Sequence, residues 1–482
     1  MIKTTFKAHP IMILSLMRPY IFVLVLPLVR ALIQYVTTGQ IDGLLNLEII
    51  AFSIVLTIAI LSYRAISVTV SDQYLTVKKG IFIKRRAVIE LSRLSSVVLR
   101  RNIADLLFGS VECAINTEAG RPQKSDFAFK MYIRDTKRLF AMVYGDEART
   151  TIKFSPTKIA LLAATTSSAF SGMVIGVPVI NQLGDLLGVA LSDMFLNEIN
   201  SISSKLDTVF PPIINTISLV LLAAYAISFL TTFLKNVNFK LLSDKNNIEI
   251  KSGLIVRRYI VFKKSKVNNV CIEQTPLMRL ARRYSMRASI GGYSDKKGEK
   301  SVVVPAATYK SLIKELKTQF LQYNVGKNII NPLHTKANRN RFFFAPIVCA
   351  FAIIAAGAVT AILFEHFKSL IVFTTLVLFG IDAYYAYVCY CKYKRGKLCF
   401  NDSVFASGMF GFNTREMYCD KNNIGIIKII QTPADRRYKT CKLKLTVRSE
   451  QADSIRVNNI DLKTALTEIK NNFSLQKTPF NE

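Results

Sequence analysis

A chain of 482 residues in which 51% are hydrophobic, with a mean hydropathy of +0.29, is too apolar for an ordinary soluble protein of this length, and the 20% of charged residues forces the apolar ones into blocks. Sixty-four Lys and Arg against 32 Asp and Glu leave a net charge of +32, which directs attention to anionic partners. Eight scattered Cys without a CxxC pair read as reduced thiols rather than a disulfide framework, and His9, His334 and His366 lack ligand-type spacing, so neither a metal nor a cofactor is expected.

From the N-terminus, the apolar stretch runs on past Arg18 and Pro19 without a small-residue cleavage site, which reads as an anchor and not a leader. Crossing ~30 Å of hydrocarbon takes about 20 apolar residues. Six stretches qualify, in three pairs: Pro19 to Val36 with Leu47 to Ser62, Lys158 to Ile180 with Pro212 to Leu234, and Phe342 to Phe364 with Leu370 to Cys391. The resulting organisation is a first hairpin over 1–63, a polar segment over 64–156, a second hairpin over 157–235 with an external loop at 181–211, and a second polar segment over 236–326. A basic linker at 327–341, a third hairpin over 342–391, a third polar segment over 392–475 and a tail at 476–482 complete the chain. The loop at 181–211 carries apolar residues at helical spacing (Leu183, Leu186, Leu187, Leu191, Phe195), which predicts an amphipathic helix on the outer membrane surface.

Orientation follows from the retention of positive charge on the cytoplasmic side. The linkers inside the pairs carry only Lys205 and Lys368, and Arg30 lies within a span; the other cations fall at the N-terminus or in the three polar segments. Both termini and all three segments are therefore expected in the cytoplasm, and the chain in the cell membrane.

The three segments share landmarks. Tyr74 to Lys79, Ile248 to Ser252 and Val404 to Ser407 alternate like strands and reach Gly80, Gly253 and Gly408, where a hairpin turn with positive φ is expected; Arg85-Arg86, Arg257-Arg258 and Arg415 follow. Further on come β-branched runs ending at Arg101-Asn102-Ile103, Gln274-Thr275-Pro276 and Gln431-Thr432-Pro433, then strands over Val111 to Asn116, Ser285 to Ile290 and Cys441 to Val447. Helical patterns from Tyr309 and from Leu462 close the second and third copies.

This layout, with the stretch Ala104-Asp105-Leu106-Leu107-Phe108-Gly109-Ser110-Val111, resembles the bacterial pleckstrin-homology-like membrane proteins of the YdbT-like group. The second and third copies depart from that stretch, carrying Arg282-Arg283 and Arg436-Arg437 nearby. The resemblance implies a multi-pass α-helical membrane protein with three cytoplasmic PH-like domains, each a small antiparallel β-barrel or sandwich plus a C-terminal helix. It also implies a role in resistance to membrane-active antimicrobial peptides and a smaller membrane partner with a single PH-like domain.

No convergent set of acid, base and nucleophile can be assembled, so the chain reads as a binding protein and not an enzyme. Candidate contacts to anionic inner-leaflet lipid or to partner proteins are Arg85, Arg86, Arg100, Arg101, Arg257, Arg258, Lys263, Lys264, Arg282, Arg283, Arg436 and Arg437. No nucleic-acid recognition motif is present. The intramembrane polar residues Arg30 and Asp382 keep a second reading open, a transporter or export component, since ionisable groups in spans often mark transport paths.

Overall fold

The computed structural model describes residues 4–18, 20, 44–81, 83–117, 125–144, 150–167, 194, 197–198, 201, 212–291, 301–323, 328–334, 336–364, 366, 368–448 and 453–473. Arg30, most of the first expected span, the distal part of the third, and nearly all of the external loop lie outside them.

Three helices among the described residues are long and apolar enough to cross a membrane, over Ser218–Asn236, Phe342–Leu363 and Ile371–Lys394. They belong to α5 (Pro212–Asn236), α8 (Lys336–Leu363) and α9 (Lys368–Lys394), while α1 (Leu44–Arg64) covers the second expected span. Large apolar side chains stand outward, Phe351 at 72% and Ile362 at 76% exposure, a surface that water disfavours and lipid accepts. The third expected span is seen only as α4 (Pro156–Thr166), too short on its own to cross. Its Thr165 and Thr166 hydroxyls donate back to the Leu162 carbonyl, at 2.9 and 2.8 Å, which satisfies the polar groups that dilute the segment. Tyr225 of α5 donates to the Ala164 carbonyl at 2.6 Å and ties the two helices together.

The chain divides into two compact units, Met1–Lys153 with Asn238–Lys266 and Ile290–Lys297, and Phe154–Val237 with Val267–Ser289 and Gly298–Glu482. In the first unit, β1 (Thr4–Lys7), β2 (Ser67–Val70), β3 (Tyr74–Lys79) and β4 (Arg85–Glu90) form a four-stranded sheet. A seven-stranded sheet runs β7 (Phe127–Tyr132), β6 (Ser110–Thr117), β5 (Leu94–Arg101), β11 (Arg257–Lys263), β10 (Asn247–Ser252), β9 (Lys240–Ser243), β8 (Thr150–Lys153). Leu75, Val97, Ile115, Met131 and Leu139 are among its core residues. Leu139 comes from α3 (Ile133–Tyr144), a closing helix for the first copy beyond the two expected, whose apolar residues in IRDTKRLFAMVY recur at helical spacing.

In the second unit, a six-stranded sheet runs β14 (Ser301–Ala307), β13 (Tyr284–Ile290), β12 (Val267–Gln274), β17 (Asn413–Asp420), β16 (Ser403–Phe410), β15 (Lys397–Phe400). A three-stranded sheet holds β18 (Ile424–Ile430), β19 (Thr440–Val447) and β20 (Ser454–Asp461). Its core gathers Leu398, Val404, Met417, Leu443, Val457 and Ile469, the last from α11 (Leu462–Asn472); α7 (Tyr309–Gln319) is the other closing helix. The sheets are thus not confined to one sequence segment each: β5 pairs with β11, and β12 with β17.

The backbone just before each pair of expected spans pairs with the strand that follows it. Thr4–Lys7 pairs antiparallel with Ser67–Val70, Thr150–Lys153 with Lys240–Ser243, and Ile330 bridges to Leu398.

Gly80 and Gly253 sit in the expected hairpin turns at φ +102° and +100°. The third copy differs: Gly408 lies inside β16, against the Arg456 carbonyl, and the turn falls at Gly411, φ +59°. Here glycine answers a close approach of strands, not a turn. A Cβ at Gly253 would collide with the Val256 carbonyl oxygen, whereas one at Gly411 meets nothing within 4 Å. Gly253→Ala is expected to lower stability by about 1–3 kcal/mol, and more than Gly411→Ala, when thermal unfolding of the detergent-solubilised chain is compared.

The second set of landmarks marks helix caps. Asn102, Thr275 and Thr432 are the N-caps of the short helices α2 (Ile103–Leu107), α6 (Pro276–Leu280) and α10 (Pro433–Arg437). Each helix ends in a left-handed residue: Gly109, Arg282 and Lys439 at φ +67°, +51° and +52°. The backbone shape is therefore kept in the copies that lack the glycine.

Candidate functional site

The junction of β5 and β11 builds the first unit's most distinctive feature. Its register sets Leu99 opposite Tyr259, Arg100 opposite Arg258 and Arg101 opposite Arg257. Like charges facing each other across a ladder are destabilising unless an anion neutralises them. With α3 and the start of β9, this junction lines a cavity of about 1040 Å³, whose described lining residues include Arg101, Arg138, Lys240, Lys251, Arg257 and Arg258 and no carboxylate. Arg101 Nε is buried without a hydrogen-bond partner. The apolar part of the wall is Leu99, Val111, Ile133, Phe140 and Leu254, with Tyr259 held by edge contact to Phe140, 5.1 Å between ring centroids. Lys251 Nζ lies 4.7 Å above the Tyr259 ring, so one cation is positioned by its quadrupole. Asn238, in the left-handed region at φ +58°, turns the chain from α5 into this wall.

The candidate cations thus separate. Arg101 and Arg257, paired in register, meet at the cavity with Arg138, Lys240 and Lys251, and Arg258 also borders it. Arg100 is opposite Arg258 in register and opposite Glu112 on β6, so it shares the face of Arg258 and not that of Arg101 and Arg257, and it is not among the lining residues. Arg85 and Arg86 are exposed on β4, Arg436 and Arg437 on α10. Arg282 and Arg283 form the end of α6, their amides donating to the Arg279 and Met278 carbonyls at 3.1 and 2.8 Å. Lys263 Nζ donates to the Leu91 carbonyl at 2.7 Å, and burial, with Lys266 nearby, lowers its ammonium pKa below the ordinary value; burial does the same to Lys264. Asp382 is buried in α9 at 8% exposure.

The equivalent junction of the second unit, β12 with β17, carries a different chemistry. Arg415 pairs with Glu273 at 2.8 Å and Asp453 at 3.3 Å, Arg287 approaches Glu273 at 3.6 Å, and Asn269 donates to Asp453 at 2.6 Å. Its cavity, about 460 Å³, is lined by Lys394, Arg395, Lys397 and Glu416 among tyrosines. Burial raises the Glu416 carboxyl above its ordinary range even though Tyr309 and Tyr418 donate to it, at 2.9 and 3.2 Å. Among the described residues no group of three or more His, Cys, Asp and Glu is placed to hold a metal. All eight Cys are free, and burial pushes the Cys113, Cys419 and Cys441 thiols up to about 12, which leaves them unreactive near neutrality.

Sequence comparison matches the family described as bacterial PH domain to two segments, residues 14–144 and 186–322, together more than half of the chain. No curated protein and no solved structure matches. The first matched segment contains β2 to β7, and the second β9 to β14, so each takes in a complete course from the Gly-centred hairpin through the short capped helix to the strands after it. On this agreement of pattern and strand course, the chain belongs to the bacterial PH domain family.

Proposed function

We propose that this protein is a non-catalytic scaffold of the bacterial cell membrane whose basic cavity, between β5, β11 and α3, takes the phosphate of an anionic lipid headgroup. The observation that carries the reading is the cavity itself: six cations and no carboxylate among its described lining residues, with an apolar wall suited to the adjoining glycerol and acyl carbons. Two further features support it. The apolar helices bring a chain of this charge to the bilayer, and the inner leaflet is where anionic lipid meets retained cations. The pairing of the strands before and after each expected hairpin supports hairpins that leave and return on one side, and the charge distribution supports reading that side as the cytoplasm. The third segment, with the same hairpin, capped helix and closing helix, is read as a third PH-like domain.

The test uses the full chain in phosphatidylcholine nanodiscs containing a minority of phosphatidylglycerol, with native mass spectrometry of the lipid retained on release. Each cation near an anionic surface contributes about 1 kcal/mol, so the Arg101→Gln/Arg257→Gln/Arg258→Gln variant is expected to retain phosphatidylglycerol ~100-fold more weakly. Arg436→Gln/Arg437→Gln, outside the cavity, leaves retention unchanged. Equal retention by both variants refutes the assignment. Circular dichroism and the melting temperature of the triple variant separate loss of binding from loss of fold.

A further inference from the structure

We propose that copies of this chain join head to tail, β18 of one pairing antiparallel with β4 of the next, with Ile426 opposite Ile89 and Ile430 opposite Arg85. The rule comes from the two junctions already inside the chain. In the first, Ser96 of β5 faces Phe262 of β11; in the second, Asn269 of β12 faces Cys419 of β17. Ser96 and Asn269 stand at one place relative to the caps that follow, Asn102 and Thr275, and Ile426 stands at that place before Thr432. Phe262 and Cys419 are each the last residue but one of their strands, as Ile89 is of β4. The two junctions therefore obey one register, and applied once more it fixes every pair between β18 and β4.

These are the two strands of the junction-forming kinds that are left over. Among the described residues β4 ends the four-stranded sheet and β18 ends the three-stranded one, each with an unpaired edge. Their exposure shows what a junction would cover. Val88 of β4 is 54% exposed, while its counterparts Val261 and Tyr418 are at 0% and 2%. Ile426 of β18 is 51% exposed, while its counterparts Ser96 and Asn269 are at 0%. An edge bearing exposed isoleucines is the kind that invites strand addition, and natural edges are normally blunted by charge, proline or a bulge. In the derived register the one lysine of β18, Lys428, meets Ala87, and Ile429 and Ile430 meet Arg86 and Arg85, so no like charges are opposed. Because a β18 edge takes a β4 edge and not another β18, the contact is heterologous, and it propagates into an open array or closes a ring.

The test is disulfide crosslinking of co-expressed full-length chains in their membranes, in a Cys349→Ala background because Cys349 is the exposed thiol among the eight. Ile430→Cys in one chain and Arg85→Cys in the other are expected to give a crosslinked dimer, and neither variant alone gives one. Replacing the second by Val88→Cys puts the thiol on the opposite face, and crosslinking is expected to be about tenfold weaker or more. Circular dichroism of each purified variant confirms that the surface substitutions leave the fold intact. Four results overturn the proposal: no crosslink together with a monomer mass in sedimentation, a dimer from Ile430→Cys alone, a crosslink within one chain carrying both thiols, or a crosslink from Ile430→Cys to a different protein. The lipid-binding reading does not depend on this outcome, since its cavity lies wholly within the first unit of one chain.

Discussion

Arg415→Ala is expected to loosen the six-stranded sheet by about 3–5 kcal/mol, the cost of leaving a buried counter-charge without its partner. Arg415 is 11% exposed, and its guanidinium spans two carboxylates that are themselves buried, Glu273 at 8% and Asp453 at 7%. Its position is reinforced by the Phe410 ring, 4.1 Å from the guanidinium carbon. With Arg415 removed, Glu273 keeps only the longer approach of Arg287, and Asp453 keeps the amide of Asn269. Arg415→Lys rescues part of the loss, because one ammonium cannot reach both acids with the geometry of a planar fork. Removing Arg415 with both of its acids, as Glu273→Leu, Arg415→Met and Asp453→Asn, is expected to cost less than Arg415→Ala alone, since no buried carboxylate is then left without a counter-charge and Arg287 loses only its longer approach at 3.6 Å. Hydrogen exchange of the full chain in detergent is the appropriate measurement: amides of Val267–Gln274, which face β17, lose protection in Arg415→Ala and recover in the triple variant.

Asp105→Asn is expected to cost the first unit a similar amount, about 3–5 kcal/mol, for the same reason at a different place. The side chain is fully buried and accepts from Ser110 Oγ at 2.6 Å, Lys130 Nζ at 2.8 Å and the Asn102 amide at 3.2 Å. Burial alone would raise its carboxyl pKa, but the bonds from Lys130, Ser110 and Asn102 outweigh burial and hold it below the ordinary value. A carboxyl whose folded pKa is depressed stabilises the fold fully above its unfolded value, near 4, and loses that contribution as pH falls through the folded value. Melting temperature followed from neutral to acid pH should therefore decline in the native chain below about pH 4, with the Asp105→Asn chain already low and flatter there. The second copy shows the apolar alternative, since Met278 stands at the same step of its short helix and is equally buried. Asp105→Met combined with Lys130→Met should accordingly cost less than Asp105→Asn.

Much of this architecture is written in local physics. The hairpin glycines at 80 and 253 were recognisable because a strand of period two that stops at glycine before two arginines leaves little but a turn with positive φ. Gly408 misled for the converse reason: glycine also serves where two backbones approach, and only the neighbouring Arg456 carbonyl tells the cases apart. The caps at Asn102, Thr275 and Thr432 were visible as landmarks, but their short helices were too brief for any periodic signal. The closing helix Ile133–Tyr144 was as legible as the other two, since Leu139, Phe140, Val143 and Tyr144 recur at helical spacing among its charges.

The candidate site divides in the same way. Arg101, Arg257 and Arg258 stood out as adjacent cations, and nothing in the linear order showed that they line one cavity while Arg85, Arg86, Arg436 and Arg437 do not. Lys240 and Lys251 are isolated in sequence and Arg138 follows Lys137, and all three gain meaning only from the wall they share. The network at Arg415 was half legible, its arginine marked by the hairpin and its partners Glu273 and Asp453 lying far away in the chain.

By itself, the sequence determined where lipid-compatible helices can form, that the cations concentrate outside them, and where most strands, turns and caps punctuate each polar segment. These follow from hydrocarbon thickness, the two-residue period of a strand and the few residues that tolerate positive φ, all properties of neighbouring residues. Only the tertiary structure decided which sheet edges meet. Every strand edge offers the same amides and carbonyls whatever its side chains, so the choice of β11 for β5 and of β17 for β12 rests on surfaces that exist only once the sheets have packed.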